Sequence, residues 1–134
     1  MIGILAFGAY VPRLRLQRSV VARAHAWHNP GLGKLGQGER AIANWDEDTI
    51  TMAVEAARDC LGDRPRNSIN RIVLASTTHP FADRQNAGVA KEALNLSDGI
   101  AALDVGGSQR AATSALLEVL LATQGTSGEV LCLA

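Results

Sequence analysis

The chain has 134 residues, 47% of them hydrophobic and 19% charged, which are the proportions of an ordinary globular domain. Its 13 basic and 13 acidic side chains cancel, so no net positive field favours nucleic acid or an anionic membrane surface. The length allows one hydrophobic core and excludes a large two-domain enzyme.

The sequence predicts a cytoplasmic protein without a membrane partner. Its longest apolar runs are shorter than the roughly 20 residues that a membrane-spanning helix needs, and its first residues lack the pattern of a signal peptide. Cys60 and Cys132 lie far apart in apolar segments, which favours reduced core thiols over a disulfide or a metal site.

The N-terminal third of the chain predicts one strand, one helix and one long loop. Residues 2–11 form an apolar run that contains two glycines and ends before a proline, which indicates a buried strand. A weak helix is predicted over residues 19–27. Glycine and proline then enforce a loop over residues 29–38, which is too long for a simple connection.

A strong helix and a buried strand follow this loop. The acidic residues 46–48 are placed in the first turn of a helix, where they complement the macrodipole. Apolar residues recur at helical spacing from Ile50 to Leu61, and Gly62 supplies a stop. Residues 71–76 form a continuous apolar run, which is typical of a strand buried on both faces of a parallel sheet.

The rest of the chain continues the alternation of helices and strands. It predicts a helix over residues 84–94, a strand over 100–105, a helix over 110–123 and a strand over 129–134. Right-handed crossovers then place helices on both faces of a mainly parallel sheet, so the fold class is three-layered α/β. No helix covers the last strand, which indicates that residues 1–134 are half of a larger unit.

Ligands of open α/β sheets bind outside the carboxyl ends of the strands, so the residues that follow each strand are the informative ones. Residues 106–110 form a glycine pair and a helix start, where free N–H groups and the helix dipole stabilise an anion. The alternative is that Gly106 and Gly107 only permit close strand-to-helix packing. The polar residues 75–80 follow the preceding strand and line the same crevice in this prediction.

The run from Gly106 to Leu116 resembles the active-site turn of the thiolase superfamily, in the branch of 3-hydroxy-3-methylglutaryl-CoA (HMG-CoA) synthases and ketoacyl-ACP synthase III. Residues 3–12 resemble the opening strand of that branch, residues 31–33 and 46–57 its second helix, and residues 72–78 the strand before its acid-bearing turn. The resemblance implies that residues 1–134 are the N-terminal half of a five-layered αβαβα sandwich and that the C-terminal half is absent.

Two departures from the family affect the catalytic positions. The family's nucleophilic cysteine matches Gln109, which cannot carry an acyl group, although its amide can hydrogen-bond a thioester oxygen or an enolate. The family's acid/base glutamate matches Thr77, whose hydroxyl has no useful pKa near neutrality. His79 is not the family's catalytic histidine, which the C-terminal half supplies.

The other polar residues each have two interpretations. Ser108 is a nucleophile or, with better support, a helix cap, because its side chain is rotated by about 100° from that of its neighbour. Three arginines are predicted to flank the crevice, namely Arg40, Arg84 and Arg110. Their planar guanidinium groups bind phosphate or a substrate carboxylate, or are simply solvated. His25 and His28 are surface residues rather than metal ligands, and no metal site or bound cofactor is predicted. Two tryptophans, Trp27 and Trp45, are interpreted as packing anchors.

Three functions remain open. The first is an acyltransferase of this branch that acts on acyl-CoA or acyl-carrier-protein thioesters, with Gln109 marking a decarboxylating variant; Gly106, Gly107, Ser108, Arg110 and Arg40 would bind the substrate. The second is a non-catalytic subunit that shapes a cavity shared with an active partner. The third is a plain α/β fragment. The resemblance also implies a homo- or heterodimer paired through sheet edges, and association with a small zinc-ribbon and OB-fold protein.

Overall fold

The computed structural model describes residues 2–124 and 127–134. These residues belong to two compact units, one made of Met1–Tyr10 and Asp48–Ala134 and the other of Val11–Glu47. Within the two described ranges, no helix combines the length and the apolar character needed to cross a membrane.

The smaller unit is a two-stranded antiparallel ribbon with one helix. Strand β1 spans Leu14–Gln17, helix α1 spans Arg18–His25 and strand β2 spans Glu39–Ile42. Leu14 pairs with Ile42, and Gln17 pairs with Glu39. The predicted helix is confirmed as α1, and the predicted loop contains a short 3-10 helix over Pro30–Leu35. The ribbon was not predicted, because strands of four residues carry too little alternation to be recognised.

The larger unit contains the predicted parallel sheet. Helix α2 spans Thr49–Leu61, strand β3 Ile69–Ala75, helix α3 Asn86–Ala93, strand β4 Ala101–Val105, helix α4 Ala111–Ala122 and strand β5 Glu129–Leu133. The strand order is β4-β3-β5, and both pairings are parallel. Each predicted strand and helix after residue 46 is therefore confirmed, with boundaries that move by at most three residues.

Strand β3 forms the centre of the core because it is buried on both faces. Ile72 and Leu74 pack with the helices α2 and α3 in one apolar cluster. Val73 and Ala75 point to the opposite face and pack against α4 in a second cluster. Helices therefore cover both faces of the sheet, which confirms the three-layered α/β half-unit.

Helix α2 begins with a capping box rather than with an acidic first turn. Asp48 is the N-cap, and its carboxylate accepts the Thr51 N–H at 2.8 Å, while the Thr51 hydroxyl accepts the Asp48 N–H at 2.7 Å. The acidic residues 46–48 thus precede the helix, which corrects the prediction. Gly62 follows the last turn with a φ of 48°, which confirms the predicted stop.

Residues 2–11 do not form the predicted buried strand. They form no strand pairing within the described chain, and Ile4 and Leu5 are each 68% exposed and Phe7 90% exposed. The prediction of a buried strand is therefore wrong for the described chain, because an apolar pattern forms a strand only where a neighbour satisfies its backbone groups. The end of this segment is anchored to α2, because the Ala9 N–H donates to the Asp59 carboxylate at 3.0 Å.

The interpretation of the two tryptophans as packing anchors is wrong. Trp27 is 84% exposed and Trp45 is 92% exposed. Trp27 has one aromatic neighbour, the ring of His28, at 5.4 Å between centroids. Cys60 and Cys132 are free thiols, as predicted, but both are half-buried rather than enclosed in the core. Burial raises the pKa of the Cys132 thiol.

The anchor of residues 2–11 predicts unequal effects at two glycines. A Cβ at Gly8 would collide with the backbone nitrogen of Cys60, whereas a Cβ at Gly3 would meet nothing within 4 Å. We expect Gly8→Ala to lower the free energy of unfolding by about 1–3 kcal/mol, because the added methyl collides with the backbone of α2.

Gly3→Ala is the matched control and should change that free energy by less than about 0.5 kcal/mol. Denaturant unfolding of the two variants and the parent chain measures both values. Equal effects at the two glycines would contradict the anchor.

Candidate functional site

The candidate site lies where β3 and β4 end side by side. Their parallel pairing continues past the strands, because the Ser76 N–H donates to the Val105 carbonyl at 3.0 Å. A Cβ at Gly106 would lie 3.3 Å from the Ser76 carbonyl oxygen, so this position leaves little room for a side chain. The structure therefore brings together the two predicted loops, residues 75–80 and 106–110.

The turn from Gly106 to Arg110 is exposed and leads directly into α4. Gly107 has a φ of 77°, a conformation that favours glycine. The Ser108 hydroxyl accepts the Arg110 N–H at 3.1 Å, and the Ser108 carbonyl accepts the Ala111 N–H at 3.0 Å. Ser108 thus satisfies two backbone donors beside the helix start, but the N-cap of α4 is Arg110 and has no side-chain cap hydrogen bond, so Ser108 is not the predicted helix cap.

Gln109 lies at the exposed tip of this turn. Within the described residues its side chain makes no hydrogen bond, and neither the cleft of about 410 Å³ nor that of about 630 Å³ found in the larger unit is lined by residues 106–110. The site is therefore an open surface in this chain. Its amide is free to bind a group that approaches from outside.

Three hydroxyls cluster behind the turn. The Thr49 hydroxyl, in the first turn of α2, donates to the Thr78 carbonyl at 2.9 Å. It also lies 3.0 Å from the Thr78 hydroxyl and 3.4 Å from that of Ser76. Thr77 is exposed and does not belong to this cluster. The hydrogen bonds therefore hold Ser76 and Thr78 in place, and not Thr77.

His79 packs beneath the glycine turn. Its Nε2 lies 3.3 Å from the Val105 carbonyl, and a Cβ at Gly106 would lie 3.4 Å from its Cδ2. Since the carbonyl is an acceptor, this contact is a hydrogen bond when Nε2 carries the proton. Nδ1 is buried without a partner among the described residues. His79 thus supports the turn from below and is shielded from its exposed side.

Asp104 caps helix α3 from inside the sheet. One carboxylate oxygen accepts the Asn86 backbone N–H at 2.7 Å and its side-chain amide at 2.9 Å, and the other accepts the Ala87 N–H at 2.6 Å. Burial acts to raise the pKa of Asp104, but these bonds, with a smaller contribution from the charge of His79, hold it below the usual 3.8. The carboxylate therefore stays ionised beside the turn.

Asn86 completes this buried network. It is only 2% exposed, and its side chain exchanges hydrogen bonds of 3.0 Å with the backbone N–H and carbonyl of Phe81. Sequence reasoning did not identify Asp104 or Asn86. A carboxylate inside an otherwise apolar strand was the available signal, because such a charge must find donors.

The arginines and histidines are dispersed. Arg110 is exposed immediately before α4, and Arg84 lies over the Phe81 ring at 4.9 Å with its nearest carboxylate, Asp83, at 3.7 Å. Arg40 is exposed on β2 in the smaller unit. His25 and His28 are exposed, and the described ranges hold no group of three residues fit to bind a metal.

Comparison with known proteins relates most of this chain to hydroxymethylglutaryl-CoA synthases. Hydroxymethylglutaryl-CoA synthase of Methanocaldococcus jannaschii is 33% identical over 121 residues, which are 87% of this chain and 34% of that protein. The enzyme of the same name from Aeropyrum pernix is 34% identical over 117 residues. No protein-family model matches the chain.

Solved structures share the fold. Ketoacyl-ACP synthase III of Thermus thermophilus superposes on 96% of this chain and 40% of its own, with a TM-score of 0.78 and 24% identity. PksG, an HMG-CoA synthase from Bacillus subtilis, covers 98% of this chain and 35% of its own, with a TM-score of 0.80 and 19% identity. The chain is thus similar in sequence to HMG-CoA synthases, and it shares the fold of these enzymes and of ketoacyl-ACP synthase III.

The thiolase-like chain spans about a third of the length of the curated relatives it matches. Its sheet of three parallel strands with helices on both faces forms a half-unit of that fold. The resemblance that the sequence indicated is thus confirmed at the level of branch and fold.

The capping carboxylate predicts a pH-dependent effect on stability. We expect Asp104→Asn to lower the free energy of unfolding at pH 7 by about 1.5–3 kcal/mol. The change removes a charged hydrogen-bond acceptor and places the NH₂ group of the new amide against N–H groups that are themselves donors. The folded-state pKa lies below 3.8, so the carboxylate stabilises the fold above that pH and ceases to do so as pH falls through the folded value.

The difference between the parent chain and Asp104→Asn should therefore shrink below pH 3.8. Asp98→Asn is the control, because the Asp98 side chain is 97% exposed. Urea unfolding across a pH series measures both variants. A difference that is independent of pH would contradict an ionised cap.

Proposed function

We propose that this chain is the N-terminal part of an HMG-CoA synthase-like or ketoacyl synthase III-like acyltransferase that acts on acyl-CoA or acyl-carrier-protein thioesters. The supporting relatives are HMG-CoA synthases at 33% and 32% identity. In the same proposal Gln109 occupies the position of the family nucleophile and Thr77 that of the acid/base, while Gly106, Gly107, Ser108, Arg110 and Arg40 contribute to substrate binding.

The observation that carries this proposal is a row of free backbone donors. The N–H groups of Gly107, Ser108 and Gln109 have no hydrogen-bond partner within the described residues, and all three residues are exposed in the turn that precedes α4. Such donors stabilise a negatively charged oxygen, because they are preorganised and the helix dipole adds to their field. A thioester carbonyl that gains charge is a ligand of that kind.

Gln109 determines which reaction fits these donors. An amide cannot form an acyl-enzyme, so within this acyltransferase-like chain Gln109 marks a decarboxylating variant, and the reaction we test is decarboxylation of a malonyl thioester. The bond between the carboxylate carbon and C2 breaks, and CO₂ leaves. The electron pair of that bond forms an enolate, whose oxygen accepts hydrogen bonds from the N–H groups and from the Gln109 amide. A proton from solvent on C2 then gives the acetyl thioester.

The first test measures release of acetyl-CoA from malonyl-CoA by the full-length gene product. We expect Gln109→Ala to lower kcat/KM by about tenfold or more, because each hydrogen bond to a developing oxyanion contributes about 2 kcal/mol or more. Gln124→Ala, an exposed glutamine just beyond the other end of α4, should leave the rate unchanged. A folded parent protein without turnover would refute the decarboxylation.

The second test restores the family's sulfur. We expect Gln109→Cys to become acetylated by acetyl-CoA, because a thiol at a helix start has a lowered pKa and takes up the acyl group as CoA leaves. Intact-mass spectrometry measures the adduct, and Gln124→Cys is the matched control. Equal labelling of the two cysteines would contradict a thioester site at residue 109.

A second candidate function is a non-catalytic subunit that shapes a cavity shared with an active partner. Its support is that both family catalytic positions carry side chains without a useful pKa, Gln109 and Thr77, and that both are exposed. A cysteine-bearing homologous subunit that co-purifies with an inactive gene product would favour this function over the first.

The partners follow from the same proposal. We expect a homo- or heterodimer joined through sheet edges, since the described part of the chain leaves strand edges unpaired, and a zinc-ribbon and OB-fold protein as a further associate. The free thiols of Cys60 and Cys132 are consistent with a cytoplasmic location. Sedimentation of the gene product measures the oligomeric state.

A further inference from the structure

The carbonyl of Val105, the last residue of β4, has two neighbours that are able to donate a hydrogen bond. It accepts the Ser76 backbone N–H at 3.0 Å, and the Nε2 atom of His79 lies 3.3 Å from it. This carbonyl belongs to the peptide group that begins the glycine turn. The orientation of that peptide group is therefore set by the residue that follows β3 and by an imidazole ring.

The glycine turn lies directly against this ring. A Cβ at Gly106 would lie 3.4 Å from Cδ2 of His79 and 3.6 Å from its Nε2, so even a methyl group at this position would touch the imidazole. On its other side the same Cβ would lie 3.3 Å from the Ser76 carbonyl oxygen. The first residue of the turn thus has contacts on two sides, and one of them is His79.

The loop that carries His79 is fixed on both sides of this residue. Before it, the Thr78 N–H donates to the Ser76 hydroxyl at 3.1 Å. After it, the Phe81 N–H donates to the side-chain oxygen of Asn86 at 3.0 Å, and Asn86 is only 2% exposed. The imidazole is therefore presented to the turn by a segment whose own hydrogen bonds hold it in place.

The surroundings of the ring favour one neutral tautomer. Nδ1 is buried without a partner among the described residues, whereas Nε2 faces a carbonyl oxygen. With the proton on Nε2, the ring donates to the Val105 carbonyl and buries only an acceptor at Nδ1. With the proton on Nδ1, a donor would be buried without an acceptor, and two lone pairs would face each other at Val105.

We propose that His79 is a positioning residue of the candidate site, whose Nε2–H holds the Val105 carbonyl and thereby fixes the direction of the free N–H groups of residues 107–109. These residues follow the peptide group between Val105 and Gly106, so a rotation of that group redirects the donors. A displacement of about 1 Å in a catalytic group can lower a rate by about 100-fold. The inference rests on the proposed function for the use of these donors, whereas the hydrogen bond of His79 does not depend on it.

The first measurement determines the tautomer of His79 in the full-length gene product. A ¹H–¹⁵N spectrum of the histidine rings at about pH 8, where an ordinary histidine is neutral, distinguishes a protonated ring nitrogen from an unprotonated one. We expect the signals that His79→Gln removes to show a proton on Nε2 and none on Nδ1. A proton on Nδ1 would overturn the proposal.

Two amide substitutions separate the donor from the ring. In His79→Gln the side-chain NH₂ group reaches the place of Nε2, whereas in His79→Asn the shorter side chain brings it only to the place of Nδ1. For release of acetyl-CoA from malonyl-CoA, we expect His79→Gln to keep kcat within about threefold of the parent. His79→Asn should lower kcat by about tenfold or more and change KM by less than about twofold, because the donors act on charge that develops in the transition state.

The control for this pair is His28→Asn, at an exposed histidine of the smaller unit, which should leave both constants unchanged. Denaturant unfolding establishes that each variant is folded under the assay conditions. Equal losses of kcat in His79→Gln and His79→Asn would contradict a role of the Nε2 donor. The tautomer measurement needs only the parent and His79→Gln, so it decides the question if His79→Asn does not fold.

A third measurement does not require the proposed reaction. In a Gln109→Cys background the free N–H groups stabilise a thiolate, so the rate of alkylation by iodoacetamide at about pH 7 depends on their direction. We expect an added His79→Asn change to lower this rate by about threefold or more, and an added His79→Gln change to leave it within about twofold. Gln124→Cys supplies the rate of an exposed thiol outside the turn.

The alkylation rates separate the two proposals. Equal rates in the two double variants would refute the positioning role of His79, whatever the parent protein does with malonyl-CoA. The expected difference between them, in a gene product that does not release acetyl-CoA, would support the positioning role and refute the decarboxylation.

Discussion

The parallel pairing of β3 with β4 and β5 is the constraint on which the larger unit depends. Strand β3 is buried on both faces, so it requires a strand on each edge and helices above and below. Because β3 and β4 run in the same direction, the loops that follow them leave the sheet at the same end. The hydrogen bond from the Ser76 N–H to the Val105 carbonyl extends the pairing into those loops. Two segments far apart in sequence thereby form one surface.

That surface has hydrogen-bonded side chains on its inner side and exposed residues on its outer side. Asp104, Asn86 and His79 lie below the turn in contacts that satisfy the start of α3 and the end of β4. Above them, residues 106–110 are exposed, and three consecutive N–H groups have no partner within the described chain. A fixed base with free donors favours recognition of a charged oxygen, since the donors need no reorganisation when the charge appears.

The part of the larger unit that contains residues 2–8 and β5 is apolar instead. Residues 2–8 and β5 face each other across an apolar cleft, and each carries apolar side chains. The relatives are about three times as long as this chain. One physical rule explains both features. A polar turn is stable in water, whereas an apolar segment without a neighbouring strand leaves its backbone groups and apolar side chains uncovered.

The sequence by itself determined the elements whose signal is local. Helix α2, with its apolar stripe and its Gly62 stop, needed no distant partner to be recognised, and the same holds for the continuous apolar run of β3. The glycine turn before α4 was recognisable for a similar reason, because positive φ and helix capping are properties of neighbouring residues.

Tertiary structure decided everything that required a partner. Residues 2–11 have the composition of a strand, yet the described chain supplies no neighbour to pair with them, and Trp27 and Trp45 have apolar rings that no core covers. The Asp104 cap and the hydroxyls around Thr49 join residues that are between 17 and 29 positions apart. Pairing and burial are long-range contacts, so the spacing of residues along the chain does not specify them.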